Sequence, residues 1–280
     1  MSIEMDELLA IMARLRDPDS GCPWDRKQTY ETIIPFTIEE VYEVLDAIER
    51  HDLPDLREEL GDLLFQVIFM ARIAEESGAF NFADVAQTLR DKLVRRHPHV
   101  FGSARYDSDD ALAAAWDGHK ARERDAKRGD APAAPPSPMD GIAQALPALL
   151  RAHKLQSRAA KVGFDWPDIA GVVAKLHEEV DELERELRPA PDLVRIEAEL
   201  GDVLFSCVNV ARHLRLDPEA VLRSANRRFE RRFRAMEQSN APTGRALTAL
   251  SAAQWDSLWC AAKSATAASD TSGDRDDAAS

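Results

Sequence analysis

Apolar residues recur along this 280-residue chain at intervals of three and four positions, whereas β-branched residues in strict alternation are missing. That interval places apolar side chains on one face of an α-helix. Glycine, which destabilises helix interiors, contributes only 12 residues. We therefore predict an all-α protein.

The helical pattern occurs twice. "TIEEVYEVLDAIER" (37–50) is similar to "LHEEVDELERELR" (176–188), and "LREELGDLLFQVIFMAR" (56–72) is similar to "IEAELGDVLFSCVNVAR" (196–212). Each half then carries a basic helix and ends in Trp-x-x-x-Lys. Because these features return in the same order, we interpret the chain as a tandem duplication of one helical module.

Two segments interrupt the helical pattern. The Pro/Ala-rich segment 129–141 is typical of a linker, and the small, acidic residues of 265–280 predict a disordered tail. The predicted organisation is a first module over 1–128 and a second module over 142–264.

Composition excludes several classes of function. A net charge of −14 argues against general binding to nucleic acid or to anionic membranes, since both need an excess of Lys and Arg. Neither a basic signal segment nor a long uncharged apolar run is present, and the three scattered cysteines form no metal or disulfide motif. We expect a cytoplasmic protein without nucleic-acid or membrane partners. The negative charge does not exclude small phosphate ligands that are held through a divalent cation.

Acidic residues give the most informative pattern. In each half one helix carries Glu-Glu-x-x-Glu and the next carries Glu-x-x-Asp, which places the acids of each helix on one face. The second helix is otherwise apolar nearly all round, so its acids should lie at or near a core. The acids concerned are Glu39, Glu40, Glu43, Glu59 and Asp62 in the first half, and Glu178, Glu179, Glu182, Glu199 and Asp202 in the second.

A hairpin of these two helices would gather carboxylates that repel one another unless something neutralises them. Arginine or lysine partners are one solution, but the motif helices offer few bases at suitable positions. A divalent cation is the other, and Mg²⁺ is the usual ion where the substrate is a phosphate. For the first helix taken alone, a solvated acidic face is the competing interpretation.

Basic and aromatic residues extend the candidate site. Arg228 and Arg232 lie one helical turn apart, as do Trp259 and Lys263. Guanidinium groups suit a polyphosphate, and an aromatic ring can stack on a base. A solvated basic face and a core tryptophan are the alternatives. The stretches "CPWD" (22–25) and "GFDW" (163–166) are both interpreted as loops near the mouth of the site.

The chain resembles the MazG family of nucleoside triphosphate pyrophosphohydrolases, in the all-α NTP pyrophosphatase group. "GCPWDRKQTYETIIPFTIEEVYEVLDAI", "KLHEEVDELERE" and "AELGDVLFSCVNVARHL" carry the resemblance, which covers about residues 5–264. It implies a tandem repeat of a four-helix-type module that forms a homodimer. It also implies hydrolysis of NTPs or dNTPs to monophosphates and pyrophosphate, dependent on Mg²⁺ with Mn²⁺ as an alternative, in nucleotide-pool housecleaning.

The resemblance further implies roles for individual residues. Metal ligands would be Glu179, Glu182, Glu199 and Asp202, with Glu178 as the candidate base for the attacking water and the equivalent acids of the first half as further ligands. Nucleotide contacts would come from Lys175, Arg228, Arg232, Trp259 and Lys263. Lys175 completes a Lys-x-x-Glu-Glu-x-x-Glu pattern where the first half has Phe36, so we expect the second module to be the main catalyst.

Three other functions stay open at this point. They are a narrow-specificity dUTP or dCTP pyrophosphatase, a non-catalytic regulatory protein that binds nucleotides, and a purely structural helical dimer. The repeated acids in apolar helices disfavour the last of these.

Overall fold

The computed structural model describes residues 3–109, 111–112, 115–116, 118–119, 122–123, 137–188 and 191–272, with side chains described as far as 267. Within these ranges every regular element is helical, which confirms the all-α prediction. The chain divides into two compact units, residues 1–126 and 127–280. Residues 129–136 of the predicted linker lie outside the described ranges, as does Lys120.

The first unit is built around a helical hairpin. The helices described from end to end are α1 (Ile3–Leu15), α2 (Tyr30–Glu49), α3 (Leu53–Glu76), α4 (Phe82–Arg96) and the short α5 (Pro98–Phe101). The side chain of Thr29 caps α2, and that of Asp52 caps α3, so each helix begins where a polar side chain accepts from its free N–H groups. Helices α2 and α3 pack together across a short connection, as the sequence predicts.

The second unit repeats this arrangement. Its helices are α6 (Ala148–Ala160), α7 (Ile169–Glu186), α8 (Leu193–His213), α9 (Pro218–Asn240) and α10 (Ala252–Ser272). Helices α7 and α8 form the equivalent hairpin, and α9 packs against α10. Helix α10 runs through residues 265–272, where composition predicts disorder, and residues 273–280 lie outside the described ranges.

Each unit buries a modest apolar core. In the first unit Met12, Ile33, Ile68 and Phe69 form a buried cluster between α1, α2 and α3. In the second unit the buried apolar residues are Val172, Val208, Met236 and Ala262. Within the part of the chain that the structure describes, no helix is long and apolar enough to cross a membrane.

The acids of α3 and α8 do not all lie where the apolar pattern predicts. Asp62 and Asp202 are exposed, and the apolar neighbours Leu60 and Leu200 are 51% and 46% exposed. The expectation that both aspartates lie at or near a core is therefore wrong for a single chain. The periodicity of apolar residues indicates that a helix face is suited to burial. It does not indicate whether that face packs against the same chain or against another molecule.

Candidate active site

An acidic cluster lies on the hairpin of the second unit. Helix α7 contributes Glu179, and α8 contributes Glu199 and Asp202 one turn apart. Carboxylate oxygens of these three residues lie within 4.8 Å of one another. Glu179 is the most enclosed of them, with 6% of its surface exposed. The hairpin therefore brings Glu179 close to two acids that lie 20 and 23 positions further along the sequence.

The first unit has a corresponding cluster with a slightly different membership. Carboxylate oxygens of Glu40, Glu43 and Glu59 lie within 4.8 Å of one another. Burial, followed by the nearby charges of Asp62 and Glu43, raises the pKa of Glu40 above its ordinary value of 4.5. Burial and the neighbouring acids, Glu43 first, likewise raise the pKa of Glu59. The carboxylates of this cluster thus repel one another when ionised.

Both clusters have the chemistry that a hard divalent cation requires. The donors are carboxylate oxygens from two helices, which suit Mg²⁺ or Mn²⁺ better than a softer metal. In the first cluster the amide nitrogen of the buried Gln66 donates to Oε1 of Glu40 at 3.4 Å. The amide oxygen of Gln66 is buried without a hydrogen-bond partner among the described residues. This orphaned oxygen adds another hard donor beside the acids.

A lysine already neutralises part of the second cluster. Nζ of Lys175 lies 2.7 Å from Oε1 of Glu179 and 3.0 Å from Oε1 of Glu178. The hydrogen bonds to Glu179 and then to Glu178 raise the pKa of Lys175. The first unit has Phe36 at this position, packed edge-on against Trp24 with ring centroids 5.6 Å apart. Sequence reasoning assigned Lys175 to the nucleotide and did not count it among the partners of the acids.

The structure brings the predicted metal ligands of the second unit together only in part. Oε1 of Glu182 lies 3.4 Å from a guanidinium nitrogen of Arg185, and Glu182 is not part of the close group. The side chain of Glu178 is 56% exposed and faces Lys175. Both side chains stand on the same helix as Glu179. The role of Glu182 as a metal ligand and the role of Glu178 as a base therefore remain predictions.

A cavity of about 530 Å³ opens beside the second cluster. Lys175, Glu179 and Asp202 form one part of its wall. The "GFDW" loop forms another part through Phe164, Asp165 and Trp166, so the loop lies beside the acidic cluster. The carboxylates thus border a space large enough for a small organic ligand.

An ion pair fixes the loop over this cavity. Arg212 donates from Nη1 to Oδ2 of Asp165 at 2.9 Å, and Nε2 of His213 lies 3.0 Å from Oδ1 of the same carboxylate. These contacts, Arg212 first, lower the pKa of Asp165 to about 2. The loop is thereby tied to the end of α8, the helix that supplies Glu199 and Asp202.

Two oriented amides complete the cavity wall, and sequence reasoning missed both. Gln156 donates from Nε2 to the carbonyl oxygen of Phe205 at 2.8 Å. This bond fixes the amide, whose buried oxygen has no partner in the described part of the chain. Nε of Arg212 donates to Oδ1 of Asn209 at 2.9 Å. Asn209 lies inside the stretch "AELGDVLFSCVNVARHL" that carries the family resemblance, but the spacing of residues assigns no role to either amide. Their positions in the cavity wall reveal them.

Three of the predicted nucleotide-binding residues of α9 and α10, namely Arg232, Trp259 and Lys263, form a separate group. The guanidinium of Arg232 lies 5.9 Å from the ring centroid of Trp259, and Nζ of Lys263 lies 5.8 Å from it. Of the described residues that line the cavity, none is Arg228, Arg232, Trp259 or Lys263. The structure therefore joins this tryptophan to two cations without placing it in the cavity wall.

In the first unit Arg95 and Arg96 form ion pairs with one acid. Glu123 accepts from Arg95 at 2.7 Å and from Arg96 through a second ion pair. The hydrogen bonds from Arg96 and then from Arg95 lower the pKa of Glu123 to about 2. Lys120, which would pair with Trp116 in the repeated Trp-x-x-x-Lys pattern, lies outside the described residues.

Two helical hairpins, each carrying an acidic cluster suited to a divalent cation, define an all-α protein with a repeated candidate metal centre. The MazG nucleotide pyrophosphohydrolase domain matches residues 28–101 and 169–236, which contain both hairpins. The chain belongs to the MazG family.

Relatives of known name span nearly the whole chain. The nucleoside triphosphate pyrophosphohydrolase of Escherichia coli (strain K12) is 49% identical over 257 residues, which is 91% of this chain and 95% of the relative. The nucleoside triphosphate pyrophosphohydrolase/pyrophosphatase MazG of Thermotoga maritima is 44% identical over 261 residues, 93% of this chain and 96% of the relative. A crystal structure of a mazG-related protein from Thermotoga maritima covers 41% of this chain and 98% of its own, with 29% identity and a TM-score of 0.36.

Proposed function

We propose that this protein is a nucleoside triphosphate pyrophosphohydrolase. It hydrolyses NTPs and dNTPs to the corresponding monophosphates and pyrophosphate, and so belongs to the nucleoside triphosphate diphosphatases. The single observation that carries the proposal is the carboxylate cluster of Glu179, Glu199 and Asp202 at the edge of a cavity of about 530 Å³. Membership of the MazG family and the names of two near-full-length relatives support it.

The cluster would hold Mg²⁺, or Mn²⁺ as an alternative, through Glu179, Glu199 and Asp202. Glu182 could join them after its side chain leaves Arg185. A bound divalent cation would supply positive charge to the polyphosphate and to the leaving pyrophosphate. The protein contributes the geometry, since the packed hairpin holds carboxylate oxygens from two helices within 4.8 Å of one another.

The remaining residues have roles around the substrate. The exposed carboxylate of Glu178 would accept a proton from the attacking water, whose oxygen bonds to the α-phosphorus as the bond to the bridging oxygen breaks. Lys175 would bind the phosphates. The cavity would take the nucleoside, and the unpartnered amide oxygen of Gln156 would accept a hydrogen bond from an N–H group of the base.

We also propose that the protein works as a homodimer. The exposed apolar residues Leu60 and Leu200 lie on the same helices as the acids, and a second copy is the simplest cover for such faces. A partner subunit would also offer a route by which the group formed by Arg232, Trp259 and Lys263 contacts a nucleotide. A cytoplasmic location remains a prediction from the sequence.

The second unit is our preferred main catalyst, because its described residues place the acids beside both Lys175 and the cavity of about 530 Å³, whereas the first unit has Phe36 at the position of Lys175. Product analysis tests the function directly, since monophosphate plus pyrophosphate is expected from an NTP and Mg²⁺. Comparing all common NTPs and dNTPs separates a broad enzyme from a dUTP or dCTP pyrophosphatase. Binding without release of pyrophosphate would instead favour a regulatory nucleotide sensor.

A further inference from the structure

Lys175 occupies the place beside the second acidic cluster that Phe36 occupies beside the first. Its ammonium nitrogen lies 2.7 Å from Oε1 of Glu179 and 3.0 Å from Oε1 of Glu178. The side chain of Glu179 is 8% exposed, so the ammonium neutralises a carboxylate that water reaches poorly. Glu179 is also one of the three acids whose oxygens lie within 4.8 Å of one another.

We propose that Lys175 is an internal counter-ion that competes with a divalent cation for Glu179 when no nucleotide is bound. This inference rests on the proposed function. An ammonium and a divalent cation on the same carboxylate repel each other, and the low exposure of Glu179 reduces the screening between them. Binding of the cation therefore requires Lys175 to loosen or leave its ion pair.

A nucleoside triphosphate relieves this competition by offering the ammonium another partner. Lysine is a flexible point charge that suits phosphate oxygens. Lys175 lines the cavity together with Glu179 and Asp202, so a polyphosphate beside the acids lies within reach of its side chain. When the ammonium turns to a phosphate, Glu179 is free for the cation. Cation and nucleotide thus favour each other's binding at the second cluster.

The first unit supplies an internal comparison. Phe36 is 39% exposed and carries no charge, so it cannot neutralise Glu40. The neutral amide of Gln66 donates to Glu40 at 3.4 Å, and a neutral group does not repel a divalent cation as an ammonium does. The acids of the first cluster are therefore available to a cation without a nucleotide.

The direct test measures Mn²⁺ binding to the full chain without nucleotide, using the paramagnetic resonance of free Mn²⁺. The first cluster is silenced in every sample by Glu40→Gln and Glu59→Gln. In this background Lys175→Met should tighten Mn²⁺ binding about tenfold or more. Lys154→Met removes the same charge from an exposed lysine of α6 and should change the affinity by less than about twofold.

A second measurement examines whether Lys175 leaves Glu179 for the phosphates when a nucleotide binds. At a saturating concentration of an NTP analogue with a methylene bridge between the α- and β-phosphates, the difference between the Lys175→Met protein and its parent should shrink to about threefold or less. Comparing the two proteins at equal analogue concentration cancels the Mn²⁺ held by free analogue. A difference that persists unchanged would overturn the release of Lys175 to the phosphates.

The reverse substitution keeps the proposal testable if Lys175→Met does not fold. With the second cluster silenced by Glu199→Gln and Asp202→Asn, Phe36→Lys should weaken Mn²⁺ binding at the first cluster about tenfold, and Phe36→Met should not. Unchanged or weaker binding in Lys175→Met, or unchanged binding in Phe36→Lys, overturns the proposal. Neither readout involves pyrophosphate, so a failure of the proposed function is recognised separately.

Discussion

Nζ of Lys175 lies 2.7 Å from the carboxylate of Glu179, while Phe36 stands at the equivalent position of the first unit. The two units therefore keep the same acids but differ in the charge beside them. In the first unit burial, followed by the charges of the neighbouring acids, raises the pKa of Glu40, whereas in the second unit an ammonium offsets part of the charge of the acids. We expect the two clusters to differ in function for this reason.

Asp202→Asn tests whether the second cluster carries the activity. We expect release of pyrophosphate from dNTPs to fall by about 100-fold or more, because the substitution removes one carboxylate from the proposed cation site. The folded structure should persist, since Asp202 is exposed. The matched variant is Asp62→Asn in the first unit, which should reduce the rate much less. The reverse order of the two effects would contradict our choice of the second unit.

The pH dependence of metal-free stability tests the first cluster. The pKa of Glu40 in the folded protein is raised above 4.5, chiefly by burial. The folded state therefore favours the protonated form, and this stabilisation is complete below pH 4.5 and is lost as pH rises through the raised pKa. Glu40→Gln should raise the Tm at pH 7 without metal and should have little effect at pH 4.

Glu39→Gln is the control for that prediction, because Glu39 is an exposed acid adjacent in sequence and outside the close group. Thermal melts in chelator at pH 7 and pH 4 provide the comparison. A lower Tm for Glu40→Gln at pH 7 would mean that the ionised carboxylate stabilises the metal-free fold, contrary to our account.

The ion pair between Arg212 and Asp165 should stabilise the loop over the cavity. The pKa of Asp165 is lowered to about 2, so its contribution is present above pH 3.8 and is lost as pH falls through about 2. Asp165→Asn should reduce the free energy of unfolding at pH 7 by about 1–3 kcal/mol. It should also raise the KM for nucleotides by several-fold, since the loop lines the proposed nucleoside cavity.

Urea unfolding and steady-state kinetics check these effects, with Asp181→Asn as the control because Asp181 is an exposed acid on α7. If Asp165→Asn and Asp181→Asn unfold at the same urea concentration, the ion pair contributes nothing measurable. An unchanged KM would separate the loop from substrate binding.

The exposed apolar faces predict self-association. Leu60→Glu combined with Leu200→Glu places a charge on α3 and on α8, where both leucines are about half exposed. We expect light scattering to show a dimer for the parent chain and a monomer for this variant, because burying an unpaired charge in an interface is costly. Val100→Glu with Val162→Glu, which changes two exposed valines outside these helices, should leave the dimer intact. A monomeric parent would refute the dimer.

Sequence reasoning found the helical class, the repeat and the acids, because each leaves a regular spacing along the chain. It could not find the pairing of Arg212 with Asp165, which joins residues 47 positions apart, or the unpartnered oxygen of Gln156. Such contacts depend on packing and side-chain rotamers. Sequence reasoning also failed to predict that Asp202 is exposed. An apolar pattern does not indicate whether a helix face packs against its own chain or against another one.

Product identity tests the central claim most directly. The full chain is incubated with Mg²⁺ and a dNTP, and the products are separated by anion-exchange chromatography. Our account predicts deoxynucleoside monophosphate and pyrophosphate in equal amounts, with no reaction in chelator. Formation of deoxynucleoside diphosphate and inorganic phosphate would contradict it.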